Sequence, residues 1–186
     1  MRNFQLLAAG LDVSVLMHQI QTNSWLWNEH KLRTTHQGSV HSEVDDIWIR
    51  FNDVAEFEKT GNASSIIDQH ESIWYPAASY LLAARPILYD LARKFEAERI
   101  GRVMITRLKP GAKIAPHVDG GDHAKYYSRY HVVLQGFPGS VFRAGDEQVQ
   151  MLSGQVWWFD NQQEHECVNN SADDRVHMIV DLKLAC

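Results

Sequence analysis

The second half of the chain is a series of short runs of strand-forming residues with turn residues in the gaps. The runs are Arg102–Leu108, Ser128–Gln135, Ser140–Arg143, Gln148–Met151, Gln155–Phe159 and Arg175–Leu182. The gaps contain Pro110-Gly111, Gly120-Gly121, Pro138-Gly139, Ala144-Gly145-Asp146, Ser153-Gly154 and Asn169-Asn170. These residues are typical of turns. Closely spaced strands with a turn at each gap favour a sandwich or barrel such as a jelly roll.

The first hundred residues have a different pattern and are predicted to be largely helical with one strand. Apolar residues at helical spacing predict a short amphipathic helix over Asp12–Gln21, with Asp12 as its N-cap. The alternating segment Asp46–Phe51 predicts the strand. A longer helix is predicted from Pro76 towards Glu98, kinked or split by Pro86, because proline cannot continue the helical hydrogen-bond ladder.

A further helical turn or two is predicted over Ser64–His70. No Pro/Gly/Ser-rich linker divides the chain, and 186 residues suit one domain. We therefore expect a single α+β domain with a mainly β core over residues 1–186. In it, residues 1–100 form a mostly helical cover with substrate-side elements, and residues 101–186 form the core with the site.

Composition narrows the class of protein further. Lys and Arg total 18 against 23 Asp and Glu, so the net charge of −5 does not favour binding to a phosphate backbone. No apolar run is long enough to span a membrane, and no secretory signal is recognisable. Cys167 and Cys186 are expected as reduced thiols. These features predict a cytoplasmic protein that binds neither nucleic acid nor membrane.

A possible metal site begins at His117 and Asp119, which share a face if the segment is extended. His165 follows 48 residues later in the β-rich half. Two imidazoles and one carboxylate are the parts of a facial triad, which suits Fe(II) and leaves positions open for oxygen and a chelating co-substrate. The pair His41 and Glu43 lacks this context and is interpreted as a polar surface turn.

Two strands also present basic residues on one face. Alternation places Arg175, His177 and Ile179 opposite a wholly apolar face, so their own face should line the lumen of the barrel. A buried arginine is costly without an anion, and its planar fork matches a carboxylate. A dicarboxylate bound to the metal at one end and to Arg175 at the other would satisfy both. Arg129 and His131 share a face in the same way.

Four motifs in order carry a specific resemblance. They are IxRxxPGxxIxPHxD, SRYHVVL, GxVWWFDNxxEHECVNNS and DRVHMIVD, and they span roughly residues 102–183. In this order they resemble the aspartyl/asparaginyl β-hydroxylase family of 2-oxoglutarate- and Fe(II)-dependent oxygenases. The resemblance implies a double-stranded β-helix, or cupin-like jelly roll, with the N-terminal helices packed on one face.

The resemblance also implies roles for individual residues. His117 and His165 would be iron ligands, and Arg175 with Thr106 would bind the distal carboxylate of 2-oxoglutarate. Arg129 and His131 would lie near the carboxylate closer to the metal. The best-known animal members have glycine where this chain has Asp119, so Asp119 would restore the fuller triad as a third ligand or would orient a water.

The implied activity is hydroxylation of a C–H bond in an amino acid or peptidyl side chain, with Fe(II), 2-oxoglutarate and O2. A jelly-roll dioxygenase that does not use 2-oxoglutarate is an alternative; it would keep the histidines but would not need two arginines facing the lumen. A non-catalytic binding module of the same fold is another alternative.

The substrate side is predicted less directly. The loop 120–128 begins with two glycines and is a candidate lid, with His123 as a weaker candidate for a substrate contact. His36, Trp48 and Arg50 are candidates for the substrate mouth, although packing of helices on the barrel would explain Trp48 equally well.

Overall fold

The computed structural model describes residues 1–35, 38–62, 64 and 70–185. The strands in these residues are β1 Phe4–Ala8, β2 Val44–Phe51, β3 Ile73–Trp74, β4 Ala97–Leu108, β5 Lys113–His117, β6 Ser128–Gln135, β7 Ser140–Ala144, β8 Glu147–Val149, β9 Val156–Phe159, β10 His165–Asn169 and β11 Arg175–Leu184. The helices are α1 Ser14–Thr22, α2 Leu32–Thr35, α3 Ala55–Thr60, α4 Ala77–Tyr80, α5 Ala84–Lys94 and α6 Gly121–Tyr126, with a 3-10 turn at Ser24–Leu26.

The strands form two antiparallel sheets. The larger has the order β1-β9-β6-β11-β4-β2-β3, and the smaller has the order β5-β10-β7-β8. Apolar side chains from both sheets meet in one buried cluster, which includes Phe4, Val133 and Phe159 from the larger sheet and Phe142 and Cys167 from the smaller one. Two facing antiparallel sheets with this core are a jelly roll, so the predicted fold class is confirmed.

The helices cover the outer face of the larger sheet. Leu16 of α1 and Leu88 of α5 are buried against Val132, Met178 and Val180 of the sheet. The strands β6 and β11 therefore bury both faces, one against the helices and one towards the smaller sheet. The predicted packing of N-terminal helices on one face is confirmed.

The strand predictions succeed where alternation is strong. β6 has the predicted bounds, and each of the other five predicted runs overlaps a strand. The helix predicted up to Glu98 ends instead at Lys94, because Glu96 adopts a left-handed backbone conformation with φ of 49°. β4 therefore begins at Ala97. The helix is split as predicted, but at residues 81–83 and not at Pro86, which lies in the first turn of α5, where a missing N–H breaks no bond.

Four strands were missed, and two of them are central to the site. β1 and β3 come from the first hundred residues, so the expectation of a single strand there was wrong. β5 contains Pro116, which an edge strand tolerates because one side of its backbone has no partner strand that needs a donor. β10 reads HECVN, which is too short and polar for a period to be recognised.

The other predictions concern the N-cap of α1, the helical turn near residue 64, the cysteines and membrane-spanning segments. Asp12 accepts hydrogen bonds from the backbone N–H of Ser14 at 2.9 Å and from its hydroxyl at 2.6 Å, although Val13 occupies the position directly before α1. Most of the turn predicted over Ser64–His70 lies outside the described residues, as do His36 and Cys186. Cys167 is a buried free thiol, as predicted. Within the described part of the chain, every helix is too short or too polar to cross a bilayer.

Candidate metal centre

The predicted metal ligands lie where the strands β5 and β10 meet. His117 is the last residue of β5 and His165 is the first residue of β10, and the two are direct partners in the antiparallel ladder. Asp119 follows two residues after β5, and its backbone N–H donates to the carbonyl of Asn161 at 3.3 Å. Residues from two neighbouring strands and from the loop that follows β5 thus converge at one end of the smaller sheet.

The three side chains are close enough to share one ion. Oδ1 of Asp119 lies 3.7 Å from Nε2 of His117 and 3.8 Å from Nε2 of His165. One ligand atom from each of the three residues lies within 4.8 Å of the others. We call these residues the triad; their donor atoms are the two imidazole nitrogens and one carboxylate oxygen that suit Fe(II).

Hydrogen bonds fix the orientation of both imidazoles. Nδ1 of His117 lies 2.8 Å from the carbonyl oxygen of Ala115, and Nδ1 of His165 lies 2.9 Å from that of Gln163. A carbonyl oxygen only accepts hydrogen bonds, so each Nδ1 carries the proton. The lone pair of each Nε2 is then available to a metal ion between the three residues. Burial lowers the pKa of His165, which favours the neutral form that a metal requires.

A buried chain of charged groups holds Asp119. Nη1 of Arg129 donates to Oδ2 of Asp119 at 2.5 Å, while its Nε and Nη2 donate to Asp181 at 2.8 and 3.0 Å. Asp181 also lies 3.0 Å from Nε2 of His123, on α6. Burial opposes the charges, but the pairing outweighs it, so the pKa of Arg129 is raised and that of Asp181 is lowered. Arg129 therefore lies beside the ligands, with its donors directed to protein carboxylates.

All seven predicted site residues line one cavity between the sheets. They are Thr106, His117, Asp119, Arg129, His131, His165 and Arg175, and we call this space the central cavity. The alternation argument placed Arg129 and His131 of β6 and Arg175 of β11 correctly on the lumen side, whereas Thr106 of β4 was predicted from the resemblance. Phe142 and Phe159 form part of the apolar wall beside them.

Arg175 and Thr106 carry unused hydrogen-bonding capacity in this cavity. Arg175 is 4% exposed, and its Cζ lies 5.7 Å from the centre of the Phe142 ring. No carboxylate of the described residues lies within ion-pair distance of it, and burial lowers its pKa. The hydroxyl of Thr106 is buried and has no hydrogen-bond partner within the described ranges. A buried cation beside an unused hydroxyl is a binding site for an anion.

His131 pairs with a second histidine in the cavity. Its Nδ1 lies 3.2 Å from Nδ1 of His177, and burial lowers the pKa of both rings well below the ordinary value. Both imidazoles are therefore neutral, and one Nδ1 donates its proton to the other. His131 lies in the cavity as predicted, with this nitrogen already engaged.

The sequence analysis missed two polar residues of the cavity. The interpretation of His41 as part of a polar surface turn was wrong, because its ring centre lies 5.2 Å from that of His117 and it lines the central cavity. Burial, together with the nearby charge of Arg33, lowers the pKa of His41 to about 2. Arg33 on α2 is the second missed residue, and it also lines the cavity. Glu43 is exposed and accepts from the backbone N–H of Lys113.

Two candidates for the substrate mouth lie elsewhere. Trp48 is buried and stacks on Phe51 at 3.9 Å between ring centres. Arg50 donates to the carbonyl of Ser72 and lies 4.6 Å from the ring centre of Trp74. Neither residue lines the central cavity, so these two predictions were wrong. The loop after Gly120 folds into α6, and His123 is buried there against Asp181.

A jelly roll that carries two histidines and one aspartate around a single point defines a double-stranded β-helix protein with a candidate metal site. Its family follows from a comparison of sequences. The chain belongs to the aspartyl/asparaginyl β-hydroxylase family, whose model matches residues 77–184, more than half of the chain. The match begins at α4, earlier than the motifs alone predicted, and includes α5.

Similar proteins are consistent with this assignment. An L-proline cis-4-hydroxylase from Rhizobium meliloti (strain 1021) is 26% identical over 107 residues, a match that covers 57% of this chain and 38% of that protein. An oxidoreductase of the 2OG-Fe(II) oxygenase family from Burkholderia pseudomallei has a TM-score of 0.57 and 17% identity, over 97% of this chain and 84% of that one. A prolyl-4-hydroxylase from Pseudomonas putida has a TM-score of 0.56 and 14% identity, over 100% and 95%. At these identities the two solved structures show a shared fold.

Proposed function

We propose that the protein is an Fe(II)- and 2-oxoglutarate-dependent dioxygenase that hydroxylates a C–H bond of an amino acid or peptidyl side chain. The observation that carries this proposal is Arg175, a buried guanidinium without a carboxylate partner in the described residues, in the same cavity as the triad. The names of the similar proteins support it, since one is a proline hydroxylase and another a prolyl hydroxylase.

The residues present fit both groups. The triad would supply two Nε2 atoms and one carboxylate oxygen to an ion, and three protein ligands would leave positions for other ligands. Arg175 and the hydroxyl of Thr106 offer donors to a carboxylate bound in the same cavity. A dicarboxylate would thus satisfy the metal face and the two unused polar groups at the same time.

Together, Fe(II) and 2-oxoglutarate supply the activation of O2: one oxygen atom goes to the substrate carbon and the other to the succinate formed by decarboxylation. The protein supplies orientation and shelter from water. Arg129 donates to Oδ2 of Asp119 and so holds its Oδ1 towards the histidines. Phe142, Phe159 and Ile179 line the cavity as apolar walls, which limits the entry of water.

The direct test is an anaerobic titration with Fe(II) and 2-oxoglutarate, followed by its weak visible charge-transfer absorption. Wild type should develop the band. Arg175→Ala should need at least tenfold more 2-oxoglutarate, because it loses the ionic partner of one carboxylate. Arg143→Ala is the matched control, since that arginine pairs with Glu164 and Glu166 outside the cavity.

Two results would contradict the proposal. One is the absence of the band in metal-replete wild type. The other is oxygen-dependent turnover of a substrate that is unaffected by 2-oxoglutarate and by Arg175→Ala. The second result would identify a jelly-roll dioxygenase that does not use this co-substrate.

A further inference from the structure

The imidazoles of His131 and His177 meet through one nitrogen of each ring. Nδ1 of His131 on β6 lies 3.2 Å from Nδ1 of His177 on β11. His131 lines the central cavity, whereas His177 is 0% exposed and does not line it. Because burial and the charge of Arg175 keep both rings neutral, a single proton lies between the two Nδ1 atoms. One ring therefore donates this proton and the other accepts it.

The second nitrogen of His177 decides which ring is the donor. Its Nε2 is buried and has no hydrogen-bond partner among the residues that the structure describes. If His131 were the donor, the proton of His177 would lie on this Nε2, and a buried N–H would be left without an acceptor, which is rare in folded proteins. If His177 is the donor, its Nε2 carries only a lone pair, and no buried N–H is left unpaired. The second arrangement is therefore favoured.

This arrangement fixes the proton of His131. A neutral imidazole carries one proton, so a ring that accepts through Nδ1 carries its N–H at Nε2. Nε2 of His131 forms no hydrogen bond with the described part of the chain, so it can bind a ligand in the cavity. The rings of His117 and His165 are arranged in the opposite way, because carbonyl oxygens accept from their Nδ1 and leave the lone pair at Nε2.

We propose that His177 is a positioning residue that holds the proton of His131 at Nε2, so that His131 donates to an oxyanion in the central cavity and is not a ligand of the metal ion. His177 acts only through His131. The identity of the oxyanion rests on the proposed function, in which it is the carboxylate of 2-oxoglutarate nearer to the metal. The position of the proton does not rest on that function.

The proton positions are measured by long-range ¹H–¹⁵N correlation NMR of metal-free protein labelled with ¹⁵N-histidine. These correlations distinguish a protonated ring nitrogen from an unprotonated one, and the variants His131→Gln and His177→Asn assign the signals. In wild type, His131 should be protonated at Nε2 and His177 at Nδ1. His165, whose Nδ1 faces a carbonyl oxygen, should be protonated at Nδ1 and is the internal comparison.

Two variants of His177 separate a positioning role from a packing role. Leucine fills the buried space but cannot donate, whereas asparagine is smaller and keeps an amide N–H close to the place of Nδ1. His177→Leu should need roughly three- to tenfold more 2-oxoglutarate to develop the Fe(II) band, as expected for the loss of one hydrogen bond. His177→Asn should return towards wild type. A packing role alone predicts the reverse order, because leucine preserves the buried volume better than asparagine does.

Met178→Ala is the matched control. Met178 is the next residue of β11, is also 0% exposed, and packs in the cluster between the helices and the larger sheet. Its truncation should lower the free energy of unfolding, while the folded protein keeps the proton of His131 at Nε2 and the wild-type requirement for 2-oxoglutarate.

Three outcomes would overturn the inference. They are protonation of His131 at Nδ1, protonation of His177 at Nε2, and a larger loss of 2-oxoglutarate binding in His177→Asn than in His177→Leu. The proposed function is tested separately, because the NMR measurement needs neither metal nor co-substrate. The predicted protons without a band in wild type would contradict the proposed function alone, and a normal band with the reversed protons would contradict the role of His177 alone.

Discussion

The buried hydroxyl of Thr106 should lower the free energy of unfolding of the protein when no ligand is bound. A buried polar group without a partner costs about 1–3 kcal/mol, which a bound carboxylate would recover. Thr106→Val removes the hydroxyl at similar volume. We expect this variant to be more stable than wild type by about 1 kcal/mol in urea unfolding without ligands. The same variant should have a several-fold higher KM for 2-oxoglutarate.

Thr106→Ser is the control for the expected gain in stability and the expected loss of affinity for 2-oxoglutarate. It keeps the hydroxyl and loses the buried methyl group, so the KM should stay near wild type while the free energy of unfolding falls. If Thr106→Val leaves the KM for 2-oxoglutarate unchanged, the hydroxyl does not bind the co-substrate.

Asp119 is expected to be a metal ligand rather than only a group that orients water. Its Oδ1 lies at nearly equal distances from the two imidazole nitrogens, while its Oδ2 is held by Arg129. Asp119→Asn should therefore weaken Mn(II) binding at least tenfold in competition with a chelator, because it replaces an anionic donor by a neutral amide. Asp90→Asn, at an exposed pair with Arg93, should bind as wild type does. Undiminished binding by Asp119→Asn would leave the two histidines as the protein ligands.

At the scale of elements, β11 links the helix α6 to the metal site. Asp181 on this strand contacts His123 of α6 and Arg129 of β6, and Arg129 in turn holds Asp119. Burial favours the neutral form of Asp181, but Arg129 and His123 reverse this, so its pKa is lowered in the folded state. Removing one partner of a buried ion pair is strongly destabilising, at about 3–5 kcal/mol. We expect a loss in this range for Asp181→Asn at pH 7, measured by urea unfolding of the metal-free protein.

The same carboxylate predicts how stability depends on pH. A lowered pKa means that the folded state binds fewer protons than the unfolded state below the ordinary aspartate value of about 3.9. Its contribution is therefore fully present above that value and is lost as the pH falls towards the folded pKa. Unfolding measured from pH 6 to pH 2.5 should show a shallower acid loss for Asp181→Asn than for Asp90→Asn. Equal slopes would contradict the assigned pairing.

The edge strand β1 supports the wall of the cavity. Phe4 is buried, with its ring centre 5.7 Å from that of Phe142 and 6.4 Å from that of Phe159. Phe159 in turn lies 5.0 Å from the ring of His165. Phe4→Ala should lower the free energy of unfolding by about 3–5 kcal/mol and also weaken Mn(II) binding. Leu6→Ala, at a half-exposed position of the same strand, should have little effect on either, and equal effects would exclude this supporting role.

For the whole molecule, the ligands should stabilise the fold in two separable steps. A ligand at about 100 times its Kd adds roughly 2.7 kcal/mol to the stability of the folded state. Mn(II) and then 2-oxoglutarate should each raise the Tm of wild type. Arg175→Ala should keep the increment from the metal and lose most of that from 2-oxoglutarate, whereas Arg143→Ala should keep both. Retention of the second increment by Arg175→Ala would place the co-substrate elsewhere.

For the whole molecule, the sequence analysis predicted the features that depend on the alternation of residues along a strand and on the order of motifs along the chain. Alternation along β6 and β11 correctly placed Arg129, His131 and Arg175 towards the lumen. Alternation cannot name a partner on another strand, so the bonds from Arg129 to Asp181 were not foreseen. Arg33 and His41 were missed because the segment that carries them has no regular period, and tertiary folding alone brings it to the cavity. β5 and β10 were missed as strands, although their terminal histidines were recognised from spacing and motif.

The direct pairing of His117 with His165 makes the candidate metal centre an all-or-none property of strand alignment. Side chains alternate between the two sides of a strand, so a shift of one position would turn one imidazole away from the other. A deletion or insertion within β5 or β10 would thus abolish the centre instead of altering its dimensions. Length changes in the turns between the strands leave the alignment intact, so this scaffold can vary its rim widely while keeping the same chemistry at its centre.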